Sequence, residues 1–175
     1  MYSKFLIILL TFFSLNIASA QEFPKVDVSA MDAVILRTDD GKSFMRVIYS
    51  RPQKKGRDIF GELVPYGKVW RTGANEATEI TFYQDVLFGD KKVDAGTYSF
   101  FTIPNEDEWT IILNQELNQW GAYRYDKDKD IARIKVKSRK TAAEVETFSI
   151  TTRKVDEGYN LLLGWDDTFV EIPVK

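Results

Sequence analysis

Cysteine and histidine are both absent from the 175 residues of this chain. Without them there is no Ser-His-Asp or Cys-His catalysis, no His-based zinc or copper centre, and no thiolate metal site. Acid–base work would fall to Asp, Glu, Lys or Tyr. The lack of Cys also excludes disulfides, so core packing must hold the fold. No strong excess of either charge is present, with 24 Lys and Arg against 26 Asp and Glu. That balance favours neither nucleic acid nor an anionic membrane surface as a partner. Beyond residue 20 no apolar run is long enough to cross a bilayer, which takes about 18 residues. No cofactor is indicated.

The first 20 residues differ from the rest. Lys4 supplies a positive start, residues 5–13 are apolar apart from Thr11, and Ala18-Ser19-Ala20 is a small-residue cleavage site. Residues 1–20 therefore read as a cleavable signal peptide, with the mature chain beginning at Gln21 and residing in the periplasm or outside the cell. The alternative, a retained anchor, is disfavoured because the run is short and broken by Ser14 and Asn16. No Cys follows the cleavage site to carry a lipid. Residues 21–175 are expected to form one domain, able to bury ~68–70% of its unfolded surface without a staple.

Period-2 alternation runs through almost all of this part, and a 3.6 period is nearly absent. Val34 to Arg37 leads into the turn Asp39-Asp40-Gly41, and Ser43 to Ser50 sets Met45, Val47 and Tyr49 against Phe44, Arg46 and Ile48. Strands are expected at Thr78 to Tyr83, Thr97 to Ile103 and Trp109 to Leu113, with a tight hairpin turning at Gly89-Asp90. Trp120 to Tyr125, Ile131 to Val136, Val145 to Arg153 and Tyr159 to Trp165 continue the pattern, and a last hairpin turns at Asp166-Asp167 into Phe169 to Val174. The helix-leaning stretches are Gln115 to Asn118 and Thr141 to Glu144. About ten short strands predict an all-β, antiparallel sandwich or jelly-roll.

Arg51 to Ala77 breaks the pattern. It holds Pro52, Gly56, Gly61, Pro65, Gly67 and Gly73, and its apolar residues follow no period. Ile59, Phe60, Leu63, Val64, Tyr66, Val69 and Trp70 argue against disorder, so an ordered excursion across the sheets is expected.

The run Trp70-Arg71-Thr72-Gly73-Ala74-Asn75-Glu76 stands beside Gly56-Arg57-Asp58-Ile59-Phe60-Gly61, Ala95-Gly96-Thr97-Tyr98-Ser99 and Trp120-Gly121-Ala122-Tyr123. In these segments the chain resembles the domain-of-unknown-function family 2911 over nearly all of its mature length. The resemblance implies export and a β-rich fold, and supplies no activity.

The sharpest polar cluster is Arg71, Asn75 and Glu76. A guanidinium forks onto a carboxylate or a pair of sugar hydroxyls, and the amide and carboxylate offer complementary hydrogen bonds. The competing reading pairs Arg71 with Glu76 and gives Asn75 a turn-capping role. Tyr66, Trp70, Trp120 and Tyr123 could supply an aromatic platform for sugar rings, whereas Trp109 and Trp165 sit in alternating strands and read as core. Asp126-Lys127-Asp128-Lys129-Asp130 suggests calcium at first sight, but the sixth and twelfth positions of an EF-hand loop would be Ile131 and Lys137. A solvated turn fits it better, and no metal ligands are nominated. The basic run Arg51, Lys54, Lys55 and Arg57 reads either as a solvated loop or as an electropositive rim for an anion.

Three functions follow. A non-catalytic binding module for a glycan or small polar ligand draws on the irregular segment, its polar cluster and the aromatics. A structural or protein-interaction module would instead need an apolar patch or open strand edge. A glycan-active enzyme would need two carboxylates at defined separation, and no such pair is evident.

Overall fold

The computed structural model describes residues 22–175. The signal peptide expected at residues 1–20 lies outside the described residues. Nine strands follow one another: β1 (Met31–Arg37), β2 (Ser43–Ser50), β3 (Thr78–Phe82), β4 (Val86–Phe88), β5 (Lys91–Val93), β6 (Gly96–Ile103), β7 (Glu108–Asn114), β8 (Asp130–Val155) and β9 (Gly158–Val174). A 3-10 turn at Lys127–Lys129 precedes β8. The strands form one antiparallel sheet in the order β1-β2-β3-β6-β7-β8-β9-β4-β5. No α-helix occurs among the described residues, and no helix there is long and apolar enough to cross a membrane. The fold is all-β, as expected.

The sheet folds over on itself because β8 serves both halves. Its first residues pair with β7, from Asp130 opposite Asn114 to Lys137 opposite Glu108. The rest pairs with β9, from Ser138 opposite Val170 to Val155 opposite Gly158 at the connecting turn. Register shifts between Lys140 and Val145, and between Val145 and Ser149, put extra residues on β8 at the bend. Contacts across the fold show that the two halves face each other. The Tyr49 hydroxyl of β2 accepts from the Ile150 amide of β8 at 3.0 Å. The Gly89 turn of the β4–β5 hairpin lies so near Ile134 that a Cβ there would come within 2.8 Å of its Cδ1. This arrangement is consistent with a sandwich.

Alternation places the core. Met45, Val47, Ile80, Phe82, Ile111, Leu113, Leu161 and Leu163 point inward and are buried. A smaller cluster of Ala77, Phe101 and Ile112 lies apart from it, covered by Val69, Ile103, Ala122 and Tyr125. The Arg51–Ala77 excursion is ordered and mostly non-repetitive, pinned by single bridges such as Trp70 opposite Thr102 and Glu76 opposite Trp120. Ile59, Val64 and Trp70 are buried as expected, whereas Leu63 and Tyr66 are exposed.

Several local expectations differ from the structure. Trp120 to Tyr125 is a turn rather than a strand, since Gly121 at φ +75 reverses the chain there. Ile131–Val136 and Val145–Arg153 belong to one strand, β8, and Thr141 to Glu144 is its bulged bend rather than helix-like. Gln115 to Asn118 is loop. No hairpin forms at Asp166-Asp167, because β9 runs straight through them, with Asp166 at φ 57 taking up the irregularity.

Candidate functional site

Trp70 enters the site from the core side. It is 8% exposed, and its ring stacks on Trp165 at 6.0 Å and 18° and meets Phe148 edge-on at 5.1 Å. Phe60 and Trp109 complete the aromatic group. The indole N–H of Trp70 donates to the Gly73 carbonyl at 3.1 Å, so the tryptophan draws the next residues into a tight loop. Trp109 and Trp165 are buried, as the alternation predicts.

That loop is strained. Thr72 and Asn75 have φ of 55° and 56°. A β-branched residue in the left-handed region is a genuine outlier, costing about 1–3 kcal/mol, and persists only where its surroundings over-determine it. Here they do. The Thr72 side chain is buried, with its hydroxyl 3.2 Å from that of Thr102, and its carbonyl accepts from the Thr78 hydroxyl at 2.6 Å. Gly73 passes so close to β2 that a Cβ would stand 2.8 Å from the Ser50 carbonyl oxygen.

The consequence is an open cleft of about 600 Å³ between this loop, the Gln53–Arg57 stretch and Ser29. Trp70 and Trp165 contribute to its apolar wall, and Arg71, Asn75, Lys55 and Arg57 to its polar wall. No Asp or Glu among the described residues lines it. Arg71 forms no ion pair among the described residues, with Glu76 or any other carboxylate, and its Nε is buried without a hydrogen-bond partner. The internal Arg71–Glu76 tie is thus not formed. The Asn75 carbonyl accepts from the Gly121 amide at 3.0 Å, which joins this loop to the next one. Glu76 is exposed and bridges Trp120 through its backbone.

The basic run divides. Arg51 is held internally by Asp32 at 2.9 Å, the Phe148 carbonyl and Ser149. Lys54 lies between Asp166 at 2.7 Å and Glu144, and these hydrogen bonds, Asp166 first, raise its pKa. Arg57 folds back on the Gln53 and Lys54 carbonyls. Lys55 is exposed, and only its backbone amide engages Glu146, at 2.9 Å.

The remaining nominated residues lie elsewhere. Tyr66 packs over Gly61 and borders the acidic turn Glu106-Asp107-Glu108. Burial first, and the Glu106 charge second, push its phenol pKa up. Trp120 and Tyr123 are 65% and 78% exposed, and stack on each other at 5.6 Å and 20° beside a second hollow. The four aromatics therefore occupy three places instead of one platform. In the Asp126–Asp130 stretch, Asp130 turns inward to Tyr125, Arg133 and Asn114, while Asp126 accepts from the Asp128 amide. No group of three or more His, Cys, Asp or Glu side chains among the described residues is placed to hold a metal ion.

Sequence reasoning did not single out Thr72, because nothing in a Thr side chain announces a left-handed backbone. It also missed Gln53, brought back to Arg71 by the fold of the same excursion, and Ser29, which comes from the segment ahead of β1.

A family model matches residues 30–174, described as Protein of unknown function (DUF2911). The chain belongs to this family. The match covers every strand and both loops that carry the nominated residues. Among curated proteins and solved structures there is no significant match.

Proposed function

We propose that this DUF2911 chain is an exported, non-catalytic binding module whose cleft takes a glycan or other small polar ligand bearing an anionic group. The observation that carries this reading is Arg71, a guanidinium at a carboxylate-free cleft, with its Nε buried and unbonded. A buried polar group without a partner costs about 1–3 kcal/mol, and more when charged. A carboxylate or phosphate oxygen from a ligand would pair with the terminal nitrogens of this guanidinium, which forms no ion pair within the described residues, and be drawn in by Lys55 and Arg57. Val28 and Leu63, with the edge of the mostly buried Trp70, give the cleft apolar surface beside the charge. Without carboxylates along the cleft, there is no acid–base pair at hand for glycoside chemistry.

The test is calorimetric titration with tetragalacturonate and with inorganic phosphate, on the wild type and Arg71→Ala. Binding of either probe should weaken at least about tenfold in the variant and fall with added salt, while thermal stability stays within about 0.5 kcal/mol. Absence of binding in the wild type overturns the reading. So does an Arg71→Ala variant that loses stability by 2 kcal/mol or more while binding as before, which would make Arg71 a structural tie (roughly the scale of a lost buried network).

A further inference from the structure

We infer that the Trp120–Tyr123 pair is a second, separate binding site, and that it takes an uncharged hexopyranose ring. Three independent features of the Glu116–Arg124 loop lead there.

The first is how the pair is held. A Cβ on Gly121 would stand 2.6 Å and 2.7 Å from two ring carbons of Tyr123, so only glycine lets that ring fold across the backbone. The ring then lies nearly parallel to Trp120, at 20°. The loop beneath is firmly seated. Tyr125 packs edge-on against Phe101 at 5.2 Å and its hydroxyl bonds Asp130 at 2.6 Å. The Gly121 amide donates to Asn75 at 3.0 Å, and the Asn118 amide to the Glu79 carboxylate at 2.9 Å. The two exposed rings are thus presented on a fixed base.

The second is an orphaned acceptor. Gln119 borders the same hollow, which has a volume of about 460 Å³. Its Nε2 donates to the Glu116 carbonyl at 3.2 Å, which fixes the orientation of the amide. The Oε1 on the other side is buried and has no partner. A sugar hydroxyl satisfies it once the amide turns toward the hollow, because Oε1 is closed to solvent in the free protein.

The third is the company the rings keep. Around them stand Glu116, Asn118, Gln119 and Arg124. Glu116, Asn118 and Arg124 have planar heads of the kind that engage vicinal hydroxyls through two atoms at once. One acid and one base line the hollow, with the Glu76 and Glu79 carboxylates close by, which favours a neutral ring over the anion fitted by the Arg71 cleft. A docking surface for another protein would be broader and more apolar than two rings bordered by four polar heads. Pyranose rings with their C–H bonds gathered on one face suit stacking on the open side of the indole.

The experiment titrates the full chain with cellotetraose, chitotetraose and mannotetraose, reading heat and tryptophan fluorescence. Trp120 is the exposed tryptophan, the other three being buried, so a sugar covering it shields the emission from iodide quenching. We expect at least one probe to bind, Trp120→Ala and Tyr123→Ala each to weaken it about tenfold or more, and Tyr83→Ala, an exposed aromatic elsewhere, to leave it unchanged. Gln119→Leu should weaken binding while leaving the free protein as stable or more so. Failure of all three sugars at about 10 mM overturns the inference. So does binding that survives loss of both rings, or self-association abolished by Trp120→Ala with no sugar response. The probes carry no charge, so their failure leaves the anion cleft standing, and failure of the anion titration leaves this site standing.

Discussion

Two aromatic, glycine-containing loops lie side by side in this protein, and they treat their tryptophans in opposite ways. Trp70 turns inward, stacks on Trp165 and donates its indole N–H to a carbonyl three residues along. Trp120 turns outward and has Tyr123 as its ring neighbour. The backbones are joined, since Asn75 in one loop accepts from Gly121 in the other. What separates the two is the surface each loop covers. The first lies over the end of the main core, where Phe60, Trp109, Phe148 and Trp165 stand open to receive a large ring. The second covers the small cluster of Phe101 and Ile112, which Ala122 and Tyr125 already fill. An indole becomes structural where neighbours leave it room, and available where they do not.

The contrast can be broken hardest at Trp70. Replacing it with Ala should destabilise the protein by about 3–5 kcal/mol, whereas Trp120→Ala should stay within about 0.5 kcal/mol, both read by urea unfolding. Equal losses would erase the distinction between the loops. Next is Gly73→Ala, which pushes a methyl group against the Ser50 carbonyl oxygen, 2.8 Å away, and should cost about 2 kcal/mol. Because the same loop shapes the cleft, that variant should also lose anion binding under conditions where it remains folded.

A smaller effect sharpens the comparison from the second loop. Burial first, and then the hydrogen bond to Asp130, push the Tyr125 phenol up to about 12. In the unfolded chain a phenol ionises near about 10. The folded state therefore keeps a proton that the unfolded state releases, so this contribution is full below pH 10 and is lost as pH rises through about 12. Tyr125→Phe should cost about 1 kcal/mol at pH 7, and its deficit relative to the wild type should shrink between about pH 10 and 12. Unfolding curves at neutral and alkaline pH check this, and a constant deficit would contradict it.

Much of the fold was legible because β2, β6, β7 and the β4–β5 hairpin obey local rules. Met45, Val47 and Tyr49 alternate inward, and Gly89 adopts the positive φ of 59° that its turn needs. The long strands were not legible. Asp166-Asp167 has the composition of a turn, yet it continues in β9 because the chain on both sides of it pairs with β8, Asp166 opposite Val145 and Thr168 opposite Lys140. The candidate site divides in the same way. Arg71 and Asn75 could be named from side-chain chemistry, but their grouping with Ser29, Gln53 and Trp165 depends on three chain segments that no local pattern connects. Likewise, nothing local to Trp70 or Trp120 states which one will find Phe148 beside it.

The bend in β8 carries a consequence for how this family can vary in length. Pairs on its two sides are already out of step, because residues 141–148 hold more chain than β9 matches. An insertion or deletion there would enlarge or shrink a protrusion and leave both ladders aligned. One residue added within the paired stretch of β9, between Gly158 and Leu161, would act differently, turning Leu161 and Leu163 from the interior toward solvent. The corner is thus a tolerant place for the chain to change size, and the paired stretch of β9 is a forbidding one.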